Sequence, residues 1–469
     1  MAYNLHDLRV KGLEVSKVLY CRVEGRMGEH SSMELHAFLD NREDFLWELP
    51  SYHPVELHLE GEEDTAILFY GVITEISFET ASEMRIVKIK GKSFSWLMDL
   101  TKKSRSFQEI QMSCSAFLSQ VLSDYPGSGL FYGAQEMPIG KLLIQYEETD
   151  WQFLKRVLSL AGMTVTPYDY QEGIKLYAGI PMLTEHRIPF QIQKVEKDMA
   201  TYYLLKVNGR QVNTADFTRY QVASQQLMRL FDTVYVKGMP LTVFSYAYEF
   251  GGGEMKGFYG LQMAKGLLKP AQHPLHLIGT ALTGRVVNVS GTNVQAALEI
   301  DRESGNPAVC WFPYSTMSAS SNGSGWYCMP EIGDDVRIYF PSKHEEEAIA
   351  LSSVSNYPVP KGGGADRMQD PNVRYLRTRA GHELALTPQR MTLTCAGGVS
   401  SAAIQNDGTV TVSALQKVLV EAEESVTLHA EENLTLHAQG VVSLQSLKGG
   451  KVVLGGDQIE FAGTEVKMD

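Results

Sequence analysis

The C-terminal part of the chain contains an apolar repeat with a period of eight residues, and this repeat restricts the fold more than any other feature. One register holds Val410, Val418, Val426, Leu434 and Val442. A second register, two positions later, holds Val412, Val420, Leu428, Leu436 and Leu444, and a third holds Ala414, Ala422, Ala430, Ala438 and Ser446. Residues two positions apart lie on the same face of a strand. Each octad is therefore predicted to be a short strand with one buried face, followed by a turn.

A single chain cannot build a core from these octads, because each octad supplies only two or three inward side chains. We therefore expect several chains to share the core, and a cyclic homotrimer is the simplest closure. The repeat is interrupted at Lys448-Gly449-Gly450-Lys451 and continues to Val466 and Met468, just before Asp469. An end of this kind exposes apolar side chains and strand edges, which favours a platform that another protein covers over a self-finished point.

Length and charge narrow the class of protein further. The chain has 469 residues, which predicts about three domains. Its net charge of −13 argues against a nucleic-acid partner. No apolar stretch is long enough to span a membrane and no signal peptide is visible, so we expect synthesis in the cytoplasm. The cysteines are scattered, which favours reduced thiols over disulfides or a zinc site.

The chain divides by composition into four parts, and the predicted fold class is mainly β. Residues 1–265 are predicted to form a hub of two barrel-like subdomains, with amphipathic helices near 113–125 and 149–161. Another short helix is predicted at Phe258 to Leu268. Residues 270–357 contain five short strands, typical of an OB-fold. Residues 358–372 are a Pro/Gly-rich linker, and residues 373–469 are the predicted triple-stranded β-helix spike.

Several segments resemble the hub-and-spike proteins of contractile injection machines, a family that includes VgrG proteins of type VI secretion and the hub and spike of phage tails and tailocins. The similar segments are SRSFQEI (104–110), LIQYEETDWQFLKRVLSLAGM (143–163), PEIGDDVRIYF (330–340) and YLRTRAGHELAL (375–386). The second is the most specific. Which machine the chain serves stays open: a phage tail, a tailocin, an extracellular injection system or a type VI system.

The resemblance implies a non-enzymatic homotrimer that seats a hexameric tail-tube protein and baseplate proteins and pierces the target envelope. It also implies a PAAR-like tip protein on a platform at Val466, Met468 and Asp469, and it allows an effector cargo. Assembly would occur in the cytoplasm, with the target membrane contacted only on firing. The alternative is a receptor-binding or polysaccharide-degrading tailspike. That class uses long coils with aromatic grooves, whereas these octads contain no Trp or Tyr.

The motifs that mimic catalytic or metal sites are incomplete, so no catalytic residue, cofactor or metal is predicted. His382-Glu383 begins an H-E-x-x-H pattern, but Leu386 stands where the second histidine is needed. Gly91-Lys92-Ser93 resembles the end of a P-loop, but Ile86 replaces its first glycine. His429 and His437 lie one octad apart and could ligate a metal between chains. Each follows an inward Leu by one residue, so its side chain is instead predicted to point to solvent, like the acidic residues around it.

Overall fold

The computed structural model describes residues 3–38, 53–61, 65–81, 84–181, 183–187, 190–236, 238–302, 310–352, 370–455 and 458–465. The mainly β fold predicted from the sequence is confirmed, with many strands and few helices. Contacts divide the chain into two compact units, Met1–Asn356 and Tyr357–Asp469. Most of the predicted linker lies outside the described residues.

The chain begins with a group of six antiparallel strands. They are β1 (Leu8–Lys11), β2 (Lys17–Arg26), β3 (Ser32–Phe38), β4 (Pro54–Glu60), β5 (Thr65–Ala81) and β6 (Met84–Ser93). Their order in the sheet is β1-β4-β5-β6-β3-β2. In β6, Val87 and Ile89 are buried, whereas Lys90 pairs with Glu75 of β5 at 3.0 Å. This alternation of apolar and charged residues is what a sheet with one buried face requires.

A mixed insert follows, with its own core. Its elements are β7 (Lys102–Phe107), α1 (Cys114–Leu122), β8 (Gly129–Tyr132), β9 (Leu143–Thr149), α2 (Asp150–Leu160), β10 (Val165–Pro167) and β11 (Lys175–Ala178). The rings of Phe107, Phe117 and Phe153 pack together, with centroids 4.9 to 5.7 Å apart. The aromatic cluster therefore joins β7 to both helices.

Helix α2 begins with the capping box that the sequence predicts. The Gln152 amide N–H donates to Thr149 Oγ1 at 3.1 Å, and the Thr149 N–H donates to Gln152 Oε1 at 3.3 Å. These two bonds satisfy amide groups that have no partner within the helix. The chain leaves the helix at Gly162, whose φ of +79° is a conformation that favours glycine.

A second group of six strands extends the first sheet. They are β12 (Glu185–His186), β13 (Gln191–Lys197), β14 (Thr218–Ser224), β15 (Thr233–Val236), β16 (Met239–Phe250) and β17 (Lys256–Gln262). Strand β16 pairs with β2 of the first group, so the described strands form one 12-stranded sheet. Both groups lie within residues 1–265, and the division of this region into two barrel-like subdomains stays a prediction.

The helix predicted at Phe258 to Leu268 is wrong. Residues Lys256–Gln262 are strand β17, and only a short 3-10 turn follows at Ala264–Leu267. A Cβ at Gly260 would lie 2.4 Å from the Ser245 hydroxyl, so glycine is needed for the close approach of β16. The sequence pattern also missed α3 (Met199–Val207), although Asp198 caps it by accepting from the Thr201 N–H at 3.1 Å.

Five further strands form a small antiparallel sheet. They are β18 (Ala281–Ser290), β19 (Asn293–Leu298), β20 (Trp311–Pro313), β21 (Asp335–Tyr339) and β22 (Ile349–Leu351). Their order is β20-β19-β18-β21-β22, and a parallel bridge from Tyr314 to Ala350 joins the two ends. The five strands thus close into a small barrel within residues 270–357, and its assignment as an OB-fold stays a prediction.

Buried charges hold the insert against this barrel. Arg156 of α2 is 3% exposed and donates to Glu148 at 2.8 Å and to Glu345 of the barrel segment at 3.2 Å. Glu345 also accepts from the Ile144 N–H at 2.9 Å. Because every one of these charges has an oppositely charged partner, the contact fixes orientation without leaving a lone buried ion.

The second unit contains two antiparallel sheets. The first comprises β23 (Arg374–Arg377), β24 (Glu383–Leu386), β25 (Arg390–Cys395), β26 (Ser400–Gln405) and β27 (Val410–Ala414), paired in chain order. The second comprises β28 (Val442–Gln445), β29 (Lys451–Gly455) and β30 (Gln458–Ala462). The octad segment connects these two sheets.

Asp169 is a buried acid in the hub. It is 3% exposed and accepts a hydrogen bond from the Tyr246 hydroxyl at 3.1 Å. Burial raises the pKa of Asp169 to about 6, from an ordinary 3.8. The native hub therefore holds the proton more tightly than the unfolded chain does, so the stability that this group contributes is present below about pH 4 and lost as the pH rises to about 6.

We expect Asp169→Asn to remove this pH dependence. As the pH rises from about 4 to 6, the free energy of unfolding of the variant should increase relative to wild type by an amount on the order of 2–3 kcal/mol. The reason is that a buried amide, unlike a buried carboxyl group, does not ionise in this range. Thermal unfolding of the hub at pH 4.5 and 7.5 measures the difference. Parallel pH profiles for the two proteins would contradict the assignment.

Candidate functional site

The octad segment between the two sheets of the second unit has a regular backbone. It bends at 415–416, 423–424, 431–432 and 439–440, and the residues between these bends belong to no helix or strand. The bends therefore recur with the period of eight residues seen in the sequence. The turn after each octad, predicted from the repeat, lies in these four places.

The pieces between the bends make no backbone hydrogen bonds with one another. Over 416–441, within the described residues, no backbone N–H donates to a carbonyl of the same chain. By contrast, β27 pairs with β26 before this segment, and β28 pairs with β29 after it. Backbone with both hydrogen-bonding sides free is unsatisfied, as at the edge of a sheet.

The predicted needle core is exposed in a single chain. The exposed fractions range from 53% for Val426 to 70% for Val420, and Val442 is half-buried. The other exposed members are Val410, Val412, Val418, Leu428, Leu434, Leu436 and Leu444. In the hub, by comparison, Leu35 and Leu57 are fully buried. An apolar stripe of this length on one chain is typical of an interface.

The polar residues of the octads are also exposed. They include Glu421, Glu423, Glu424, Glu431, Glu432, His429 and His437. In the part of the chain that the structure describes, no group of three or more His, Cys, Asp or Glu side chains is close enough to hold a metal ion. The inward or outward direction of these side chains in an assembly stays a prediction.

The motifs that resemble catalytic sites lie on strands. Glu383 opens β24 and bonds to Arg377 at 2.9 Å, while Gly91-Lys92-Ser93 ends β6. A zinc-protease motif requires both of its histidines on one helix, and a P-loop must lead from a strand into a helix. The positions of these residues on strands therefore suit neither a zinc-protease site nor a phosphate-binding loop.

Sequence reasoning missed a buried ionic cluster at the start of α2. The Asp150 carboxylate is fully buried and accepts from Lys103 at 2.6 Å, Arg105 at 2.7 Å and the Tyr125 hydroxyl at 2.7 Å. The residues come from distant parts of the chain, so no local pattern could have indicated the cluster. Lys103 and Arg105 also each bind Asp124 at 2.7 Å, so two cations balance two acids. The cluster therefore holds β7, the segment after α1 and the start of α2 together.

The last strands expose apolar side chains too. Ile459 and Phe461 of β30 are 64% and 61% exposed. The predicted tip platform of Val466, Met468 and Asp469 lies outside the described residues. Among the described helices, none is long and apolar enough to cross a membrane.

Part of the chain matches a known protein family, and solved structures have a similar fold. Residues 28–186 match the family model for the phage tail baseplate hub (GPD). The Escherichia coli c3393 protein, a component of the type VI secretion system with structural similarity to the T4 tail proteins gp27 and gp5, is 12% identical. Its structure covers 75% of this chain and 100% of its own, with a TM-score of 0.54.

Two structures of the Francisella PdpA–VgrG complex are also similar. The lidded form is 11% identical, covers 87% of this chain and 79% of its own, and has a TM-score of 0.53. The half-lidded form is 10% identical, covers 87% of each chain and has a TM-score of 0.52. A search of curated proteins finds no significant match.

The fold of the chain is similar to that of VgrG-type hub-and-spike proteins, and its residues 28–186 match the phage tail baseplate hub family. The resemblance seen in the sequence is thereby confirmed, and the hub part carries the family match.

Proposed function

We propose that three copies of the chain assemble around one axis, and that their octads wind together as a triple-stranded β-helix. The observation that carries this proposal is the octad segment, which over 416–441 has no backbone hydrogen bonds within the chain. Two further copies would supply the missing partners for each chain. Three is the smallest number of chains that closes a triangular section.

Burial of the apolar registers would stabilise such an assembly. Each Val or Leu side chain that leaves water contributes about 1.5–3 kcal/mol. Val426 and Leu428 are 53% and 67% exposed in one chain, so most of this contribution arises only when chains meet. Folding of the spike and association of the chains are therefore one event.

The opposite face of the octads would remain in solvent. The acidic side chains from Glu421 to Glu432 give it a negative charge. Repulsion between like charges keeps strand-rich needles from associating side by side. The same placement leaves His429 and His437 on the surface, where we assign them no metal.

The hub would present a sixfold seat to the tail tube. Each chain carries two groups of six strands joined through β2 and β16, so three chains place six groups around the axis. A ring of this kind matches a hexameric tube protein, and baseplate proteins would surround it. The hub family match over residues 28–186 supports this proposal.

The spike would act mechanically and not as an enzyme. It would nucleate tube assembly inside the producing cell, pierce the target envelope on firing and carry an effector cargo at its end. Its stiffness follows from a core shared by three chains, since bending requires all strands to separate together. A glycan-cleaving tailspike fits less well, because the octads contain no Trp or Tyr to line a sugar groove.

Light scattering of the full-length protein should give three times 52.2 kDa. Any monomer released by dilution should keep a folded hub and have an unfolded octad segment, because the octads have no core in one chain. A monomer whose octad segment resists protease would contradict the trimer.

Val426→Asp should disrupt the spike and leave the hub folded. The change would bring three carboxylates together on the axis, each costing several kcal/mol. Thr427→Asp is the matched control, since parity places this neighbour in solvent. Resistance to protease and SDS measures the effect, and equal resistance of both variants would show that Val426 does not face inward.

We further propose that the C-terminal end is a platform for a PAAR-like tip protein, built from Val466, Met468 and Asp469. The exposed Ile459 and Phe461 side chains of β30 support a covering partner near this end of the spike segment. Deletion of residues 465–469 should abolish co-purification with a PAAR-like protein and leave the trimer mass nearly unchanged. Retained binding would show that the platform lies elsewhere.

A further inference from the structure

The β10–β11 hairpin of the insert lies between two cores. Leu176 of β11 belongs to the core of the insert, whereas Tyr177 belongs to the core of the 12-stranded sheet, with its ring 5.5 Å from that of Phe231. The Gly28 N–H, in the turn between β2 and β3, donates to Thr166 Oγ1 of β10 at 3.1 Å. Opposite faces of the hairpin therefore join the insert to the sheet.

The tip of this hairpin, residues 168–174, carries two side chains that are buried against the sheet. Asp169 and Tyr170 are 3% and 7% exposed. The Asp169 carboxylate accepts from the Tyr246 hydroxyl of β16 at 3.1 Å. The tip belongs to no helix or strand, so its position depends mainly on these side-chain contacts.

The surroundings of the tip are polar but incompletely hydrogen-bonded. Among the described residues, the buried hydroxyls of Ser31 and Tyr170 have no hydrogen-bond partner. The Arg229 guanidinium lies over the Tyr170 ring, 4.2 Å from its centroid. Buried polar groups without partners cost free energy, so part of the free energy gained by burying the tip is lost.

The groups that face Asp169 leave its negative charge poorly balanced. They come from β16, the segment before β15, the tip itself and β11, and they are Tyr246, Tyr248, Arg229, Tyr170 and Tyr177. Of these five, Arg229 alone is a cation. Burial raises the pKa of Asp169 to about 6, and the charge of Arg229 lowers it only in part.

We propose that the tip is a proton-dependent latch between the insert and the 12-stranded sheet, which a proton on Asp169 keeps closed against β16. Without that proton, opening of the tip returns the carboxylate to water while the sheet stays folded. The open tip gives Asp169 its ordinary pKa of 3.8, so the closed tip holds the proton more tightly. The latch is therefore most stable below about pH 4 and opens more often as the pH rises to about 6. It lies within one chain and does not depend on the proposed trimer.

Hydrogen exchange of the full-length protein, read by mass spectrometry on peptides covering residues 164–178 and β6, tests the latch. After correction for the intrinsic effect of pH on exchange, we expect tip opening to become about 100-fold more frequent between pH 4 and 7, because closed and open tips differ in the pKa of Asp169. At each pH the tip should exchange at least about tenfold faster than β6. Asp169→Asn should remove the pH dependence of the tip.

Glu172→Gln is the matched control, because this carboxylate lies in the same tip but is exposed. It should leave the exchange of the tip as in wild type. Tyr246→Phe removes the hydrogen bond to the Asp169 carboxylate and should move the rise in opening to higher pH, which a loss of packing alone would not do.

Two results would overturn the latch. Exchange of the tip at the rate of β6 at every pH would show that the tip opens only when the sheet unfolds. A pH dependence of the tip that survives in Asp169→Asn would show that another group controls it.

Discussion

The free hydrogen-bonding groups of residues 416–441 are the constraint on which the spike depends. A strand needs a partner on each side, or water must take its place. Within the hub, pairing of β2 with β16 joins the two groups of strands, so only strands at the ends of the sheet, such as β1 and β13, lack a partner on one side. The octads do not pair in one chain, since no backbone hydrogen bond joins the pieces between the bends. In the proposed assembly, the same polypeptide would combine a unit that folds alone with one that needs other copies.

The two units also differ in where their apolar side chains go. Leu35 and Phe69 of the hub are fully buried in one chain, and the buried pairs of Arg156 and Asp150 fix the insert to its neighbours. In the octads, Val420 stays 70% exposed. In the proposed trimer, hub folding would be independent of concentration, whereas spike folding would follow mass action. The hub would then be a rigid base that exists before the chains associate.

The parts predicted well from the sequence have strong local signals. The octad period located the bends, and the Thr149–Gln152 capping box located α2. The predictions were wrong or incomplete where tertiary contacts determine the local structure. Phe258 to Gln262 became a strand because β14 and β16 pair on both sides of it. The Asp150 and Arg156 clusters join residues that are far apart along the chain, so no local pattern predicts them. Burial of the proposed needle core depends on contacts with other copies of the chain.

A regular repeat creates a problem of register. Octads of nearly equal composition would pack almost as well if one chain slipped by eight residues, because apolar residues would still lie opposite apolar residues and Ala opposite Ala or Ser. The sheets on either side, β23 to β27 and β28 to β30, pair with a defined register within one chain, and only their inner strands β27 and β28 carry octad residues. In the proposed trimer, these sheets would fix the register that the octads leave undetermined.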